Sequence, residues 1–170
     1  MAVAAYGVPD ACLFLTGSDA EVAVWERLWG KHRIDPERLA YDLLQTPHHC
    51  SWHSLSYDSW SELRENAKVS PAARSALSQT RKGAYIVASS EPIRDDEKDP
   101  PCIRAKREYE AVAQEVNGQF LCVGEHPSQE GPGVLEFEVT AYGPRKKSGS
   151  IQSGRLVGAG IIGRQPLSHG

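Results

Sequence analysis

The chain has 170 residues, of which 40% are hydrophobic and 24% are charged, a profile typical of a globular protein with its own core. Its formal net charge of -3 argues against a dedicated nucleic-acid-binding protein, which would be strongly basic. Because no apolar run approaches the ~20 residues of a membrane span and the N-terminus lacks a secretory signal, we predict a cytoplasmic protein. The four cysteines form no C-x-x-C pair, which favours reduced thiols over disulfides or a zinc ribbon.

The N-terminal part of the chain predicts a strand followed at once by a helix. The apolar run ACLFLTG, residues 11–17, is typical of a buried strand. The segment SDAEVAVWERLWGKH then repeats apolar residues at helical spacing, with Ser18 or Asp19 as the N-cap and Gly30 as the stop. A second strand is predicted near Tyr41–Gln45, stopped by Pro47.

The middle of the chain predicts two short helices and a third strand. One helix is expected in YDSWSELRENA and the other in SPAARSALSQTRKG, capped by Ser70, opened by Pro71 and stopped by Gly83. AYIVASS, residues 84–90, is typical of a buried strand that ends in small polar residues. The charged, proline-rich segment EPIRDDEKDPPCI that follows predicts an exposed loop.

The C-terminal part predicts a helix over 104–116 with Asn117-Gly118 at its end, then the strand QFLCVG. Residues 133–143 alternate apolar and polar side chains, which predicts a half-exposed antiparallel strand at a sheet edge. The order of elements predicts one α/β domain over 1–143, with a layered mixed sheet flanked by helices. Residues 144–170 are rich in glycine and serine, mildly basic, and predict a flexible tail.

Candidate functional residues follow two of the predicted strands. Asp19 comes just after the first strand, and His48 and His49 come just after the second. Because ligands bind beyond the carboxyl ends of strands in α/β sheets, these side chains are expected to face one crevice. A carboxylate with imidazoles suits zinc, iron or manganese. The alternatives are that Asp19 caps the helix and that the histidines are ordinary turn residues.

A cysteine nucleophile is a further alternative, since Cys50 and His53 lie three residues apart and an imidazole lowers the pKa of a nearby thiol. The sequence offers no orienting group or oxyanion hole for such a site. We therefore favour Cys50 as a small packed side chain.

The segments FLTGSDAEVAVWERL, LLQTPHHCSWHS and AYIVASS together resemble the metallo-β-lactamase superfamily, in particular its ComEC-like branch. In that branch the corresponding motifs are a TGD turn, PHHGS and a strand that ends in two serines. The similarity covers residues 11–90 and extends more weakly to residue 143. It implies the C-terminal half of an αββα sandwich.

The resemblance implies a role for each motif residue. Asp19 matches the metal-bridging aspartate, and His48 matches the late metal-ligand histidine, with His49 as its neighbour or alternate. Ser51 matches the serine of the PHHGS turn, and Cys50 stands where that turn has glycine. The implied cofactor is a two-metal site with zinc, or with manganese or iron. The implied reaction is attack of a metal-activated water on a phosphoester, ester or amide.

The main metal signature of the superfamily, H-x-H-x-D-H, does not occur in these 170 residues. We therefore expect a hydrolase that is incomplete without an N-terminal half carrying that signature. A half-sandwich leaves one apolar sheet face open, which predicts a partner chain or self-association. The substrate would be a small molecule or a phosphodiester. The alternative is a non-catalytic interaction module that has lost the metal site.

Overall fold

The computed structural model describes residues 2–5 and 8–147, with side chains from Ala11 onward. Its α-helices are α1 (Val22–His32), α2 (Trp60–Leu63), α3 (Pro71–Leu77) and α4 (Ile103–Glu115). Its strands are β1 (Ala2–Ala5), β2 (Val8–Thr16), β3 (Tyr41–Gln45), β4 (Thr80–Ala88), β5 (Gln119–Cys122), β6 (Phe137–Thr140) and β7 (Gly143–Lys146).

Strands β1 to β5 form one sheet in which the spatial order is the order along the chain. Strands β2, β3, β4 and β5 are parallel, and β1 pairs antiparallel with β2. Each parallel connection contains a helix, as crossovers between parallel strands require. The prediction of an α/β domain with a mixed sheet flanked by helices is therefore confirmed for the described residues.

One face of this sheet is closed by helices. Leu44 and Ile86 pair in register and are fully buried. They belong to one apolar cluster with Trp25 of α1, Leu77 of α3 and Tyr109 of α4. Because the buried residues of these three helices share a single cluster with the sheet, α1, α3 and α4 pack on the same face.

The opposite face is only half-buried. Leu43 and Tyr85 pair in register and alternate with the residues of the helix-covered face, so their side chains point the other way. A separate antiparallel hairpin of β6 and β7 packs near β2 and β3 on this side. Phe137 of the hairpin contacts Tyr85 edge-on, with ring centroids 4.9 Å apart.

The predicted cap of α1 is wrong. Neither Ser18 nor Asp19 is the N-cap; that position belongs to Glu21, whose side chain makes no capping bond. Ser18 instead adopts a left-handed conformation, with φ 47°, and a turn closes between the amide of Ala20 and the carbonyl of Gly17. The helix therefore begins after this turn. It also continues through Gly30 to His32, because a single glycine weakens a helix without ending it.

The predicted start of α3 is confirmed and its end is wrong. Ser70 accepts a hydrogen bond from the amide of Ala73, and Pro71 is the first helical residue. The helix ends at Leu77, and Gly83 lies inside β4 with φ +77°. The register between β3 and β4 shifts across this glycine, which is a common reason for glycine within a strand.

The strand predicted over 133–143 is shorter than expected and belongs to a different sheet from the one expected. Only Phe137–Thr140 is a strand, and it pairs with β7 rather than with an edge of the larger sheet. The segment predicted as a tail begins inside β7, and residues 148–170 lie outside the described residues.

The predicted end of α4 and the predicted burial of Cys50 agree with the structure. Helix α4 ends as expected, with left-handed Asn117 and with the amide of Gly118 bonded to the carbonyl of Ala113. All four cysteines are free and buried in the structure. Within residues 2–5 and 8–147, no helix combines the length and the apolar composition that crossing a membrane requires.

Candidate functional site

Asp19, His48 and His49 line one cavity of about 180 Å³, which we call the strand-end cavity. It lies where β2 and β3 end and where the chain leaves β4, so three parallel strands deliver residues to it. The other lining residues are polar or small: Thr16, Ser18, Gln45, Thr46 and Ser89. The structure therefore brings the three candidate metal ligands of the sequence to one place.

The turn after β2 places Asp19 at the cavity. Gly17 is needed there because a Cβ atom would lie 2.3 Å from Cζ2 of Trp25 in the core. The carbonyl of Ser18 then accepts a hydrogen bond of 2.7 Å from the amide of His48. This bond joins the two strand-end loops directly, so the aspartate and the histidines hold a fixed backbone relationship.

The turn that carries the histidines, which we call the histidine turn, has a strained backbone. His48, His49 and Cys50 all have positive φ, at 44°, 55° and 69°. Residues other than glycine rarely adopt this conformation, and each costs on the order of 1 kcal/mol. The turn is held by the bond from the Cys50 amide to the Pro47 carbonyl, 3.1 Å, and by the Cys102 amide, 3.0 Å from the Cys50 carbonyl. Such strain is typical of functional sites.

The imidazole of His49 is oriented by a hydrogen bond. Its Nδ1 lies 2.7 Å from the carbonyl oxygen of Ser89. Because a carbonyl only accepts, Nδ1 carries the proton, and Nε2 of the neutral ring keeps a lone pair. This arrangement prepares His49 to act as a ligand or a base.

His48 is half-buried, and its ring centroid lies 6.4 Å from that of His49. Its Nδ1 is buried and has no hydrogen-bond partner in the part of the chain that the structure describes. A buried nitrogen without a partner is costly unless something else bonds to it.

The donor types in the cavity suit a transition metal, but the set is not complete. A carboxylate and two imidazoles are ligands that zinc, manganese and iron accept. Nevertheless, the described residues contain no group of three or more histidine, cysteine, aspartate or glutamate side chains that could hold a metal ion. Asp19, His48 and His49 alone therefore do not fit a complete metal centre.

The two residues that were expected to support the turn are both fully buried. The Oγ of Ser51 accepts a hydrogen bond from the amide of His53, 3.1 Å away. Burial raises the pKa of the Cys50 thiol well above its usual value, and the neighbouring Cys102 raises it further. His53 is half-exposed, and its Nε2 lies 3.9 Å from Asp99 rather than at the thiol. Cys50 is thus a packed side chain, as expected from the sequence.

Sequence reasoning did not select the polar network that joins the strand ends. The Oγ1 of Thr16 donates to Oε1 of Gln45, and Nε2 of Gln45 donates to Oγ of Ser89, at 3.3 and 3.0 Å. These residues link β2, β3 and the end of β4 across the cavity. The signal for Ser89 was present, since it follows a buried strand in AYIVASS just as Asp19 follows ACLFLTG.

No protein family, curated protein or solved structure matches this chain.

Proposed function

We propose that this chain is the C-terminal portion of a metal-dependent hydrolase of the metallo-β-lactamase fold. The observation that carries the proposal is the meeting of Asp19, His48 and His49 in the strand-end cavity, beyond the ends of parallel strands. These are the residues to which the resemblance assigns metal ligation. The parallel sheet with helices on one face is the arrangement that half of an αββα sandwich requires.

In this proposal the chain supplies part of the ligand set. The orienting bond from His49 to the Ser89 carbonyl leaves Nε2 available, and Asp19 adds an exposed carboxylate. The remaining ligands come from a segment with the H-x-H-x-D-H signature, on another part of the polypeptide or on a second chain. Metal-assisted hydrolysis of a phosphoester, ester or amide belongs to the completed site, and the residues of this chain alone do not perform it.

The half-buried sheet face is where we place that second half. Leu43, Tyr85 and Val87 leave part of their apolar surface accessible on the face opposite the helices. An apolar sheet face of this kind is stabilised by packing against a second layer.

The second candidate is a non-catalytic interaction module with the same fold. It is favoured by the lack of a metal-holding group among the described residues. The same half-buried face would then bind a partner that contributes no ligands.

The two candidates are separated by titrating the purified chain with zinc and measuring the heat of binding by calorimetry. A partial site binds zinc more weakly than a complete one, and Asp19→Asn and His49→Ala each reduce that binding further. The matched control is His53→Ala, which removes a half-exposed histidine outside the cavity. His48→Ala shows whether one or both histidines are ligands.

The module is supported if zinc binding is absent, or if it is equally reduced by His53→Ala and His49→Ala. The hydrolase is supported if only the cavity substitutions reduce zinc binding.

A further inference from the structure

A second concave surface adjoins the strand-end cavity, and we call it the side groove. Its volume is about 530 Å³, and it is shallow and largely open to solvent. His49 and Ser89 line both spaces, so the oriented imidazole lies between them. A molecule in the side groove would therefore have one end at the candidate metal ligands.

One wall of the side groove is Pro100 with Pro101, and the fold fixes it to the histidine turn. Before the prolines, Oδ1 of Asp99 accepts a 3.0 Å hydrogen bond from the amide of Trp52. After them, the amide of Cys102 donates to the carbonyl of Cys50. The proline wall is thus held on both sides by backbone groups of Trp52 and Cys50, shortly after His49.

A second wall contains Val123, and it is fixed to the end of β4. The amide of Gly124 donates to the carbonyl of Ser90 at 2.9 Å. Gly124 packs so closely that a Cβ atom would lie 2.7 Å from the backbone of Glu91. Both walls are therefore built on hydrogen-bonded backbone, which is what a preformed binding site needs.

The charges of the side groove are balanced. Its lysine, Lys98, forms an ion pair with its glutamate, Glu91. Phosphodiester backbones are bound by cations that are free to neutralise phosphates. The other walls offer proline and valine surface and serine hydroxyls, which suit an uncharged molecule with an apolar group.

We infer that the side groove binds the apolar group of a small uncharged ester or amide, and that it does not bind a nucleic acid or another phosphodiester. The inference rests on the proposed function for the reaction at the strand-end cavity, and of the phosphoester, ester or amide that the proposed function allows it keeps the ester and the amide. The apolar group contacts Pro101 and Val123, and the carbonyl lies towards His49 and Ser89, which line both spaces.

The test is an NMR titration of the isotope-labelled full chain with 1-naphthyl acetate and, separately, with bis(4-nitrophenyl) phosphate. We expect the ester to shift the amide signals of Ser90, Cys102 and Val123, and the phosphodiester to leave them unchanged. Val123→Trp fills the groove and weakens ester binding by about tenfold or more. The matched control is Val134→Trp at a valine that is 79% exposed and outside the groove, and it leaves ester binding unchanged.

Two further variants keep the test decisive. Val123→Ala, which avoids any folding defect from the larger side chain, weakens ester binding by about threefold. Glu91→Gln releases Lys98 from its partner and gives the phosphodiester a measurable affinity that the unmodified chain lacks. The inference is overturned if the phosphodiester binds the unmodified chain more tightly than the ester, if the ester shifts none of these amides, or if both tryptophan variants weaken binding equally.

The side groove and the proposed function fail in different ways. Zinc binding that depends on Asp19, without ester binding at Val123, would overturn only the side-groove inference. Ester binding at Val123, without zinc binding that depends on Asp19, would overturn the metal-dependent function and leave the groove as a ligand site.

Discussion

The two faces of the parallel sheet are built from neighbouring residues and have opposite surroundings. Leu44 is fully buried under the helices, whereas Leu43, one residue earlier, is only half-buried beside a short hairpin. Strand alternation makes this possible, because successive side chains point to opposite faces. Within the described residues, the sheet is therefore closed by helices on one face and only half-buried on the other.

The largest expected difference between the faces is in stability. We predict that Leu44→Ala lowers the free energy of unfolding by about 3 kcal/mol, because it leaves a cavity in a closed core. Leu43→Ala is the matched substitution on the other face, and we expect a loss of about 1 kcal/mol. Urea denaturation measures both values.

Equal losses at the two leucines would contradict this difference and would mean that both faces are equally packed in solution. If a partner half covers the open face, the cost of Leu43→Ala should rise when that partner is added.

The second prediction concerns Cys50 in the strained histidine turn, whose side chain belongs to the helix-covered core. Cys50 has φ 69°, where a Cβ atom is unfavourable, and its thiol is fully buried. Cys50→Ala removes the sulfur and keeps the strain, whereas Cys50→Gly removes both. We expect the glycine variant to be more stable than the alanine variant by about 1 kcal/mol, the reverse of the usual order.

Thermal unfolding of the two variants checks this prediction. An alanine variant that is as stable as the glycine variant would show that the turn relaxes away from positive φ.

The third prediction concerns the hairpin on the open face. Within the described residues, the hairpin contacts the sheet through the edge-to-face pair of Phe137 and Tyr85. A double-mutant cycle with Tyr85→Leu and Phe137→Leu should give a coupling of about 0.5 kcal/mol, the low end for aromatic pairs, because both rings are partly exposed. A coupling of zero would mean that the hairpin is not docked on the sheet in solution.

The fourth prediction concerns the stability of the protein at alkaline pH, and it expects no change near neutral pH. Burial raises the pKa of the Cys102 thiol to about 11, from 9.0 in the unfolded chain. Its contribution to stability is present below pH 9 and is lost as the pH rises towards 11, because the unfolded state then releases a proton that the folded state keeps. Cys102→Ala should therefore flatten the decline of stability between pH 9 and 11, measured by urea denaturation at each pH. An unchanged decline would contradict the assignment.

The sequence predicted the features that local chemistry determines. The strand Tyr41–Gln45 is correct to the residue, because Pro47 limits its end, and Ser70 with Pro71 marks the start of α3. The delivery of Asp19 and the histidines to one sheet edge follows from two parallel strands that end side by side.

The errors arose where distant contacts decide the local structure. The turn that displaced the α1 cap depends on Gly17 packing against Trp25, which no local pattern shows. Gly83 lies within a strand because its amide bonds to the carbonyl of Val116, far along the chain. The side groove depends on the contact between Cys102 and Cys50, and a single sequence does not reveal such pairings.

The identical order of the five sheet strands in space and along the chain has a consequence for biosynthesis. Each new parallel strand pairs with the strand made immediately before it, so the sheet can grow at a single edge as the polypeptide leaves the ribosome. No strand has to be inserted between two that already pair. The backbone that carries Asp19 and His48 would therefore pair early, whereas the amide of Cys102, which holds the histidine turn, is translated later.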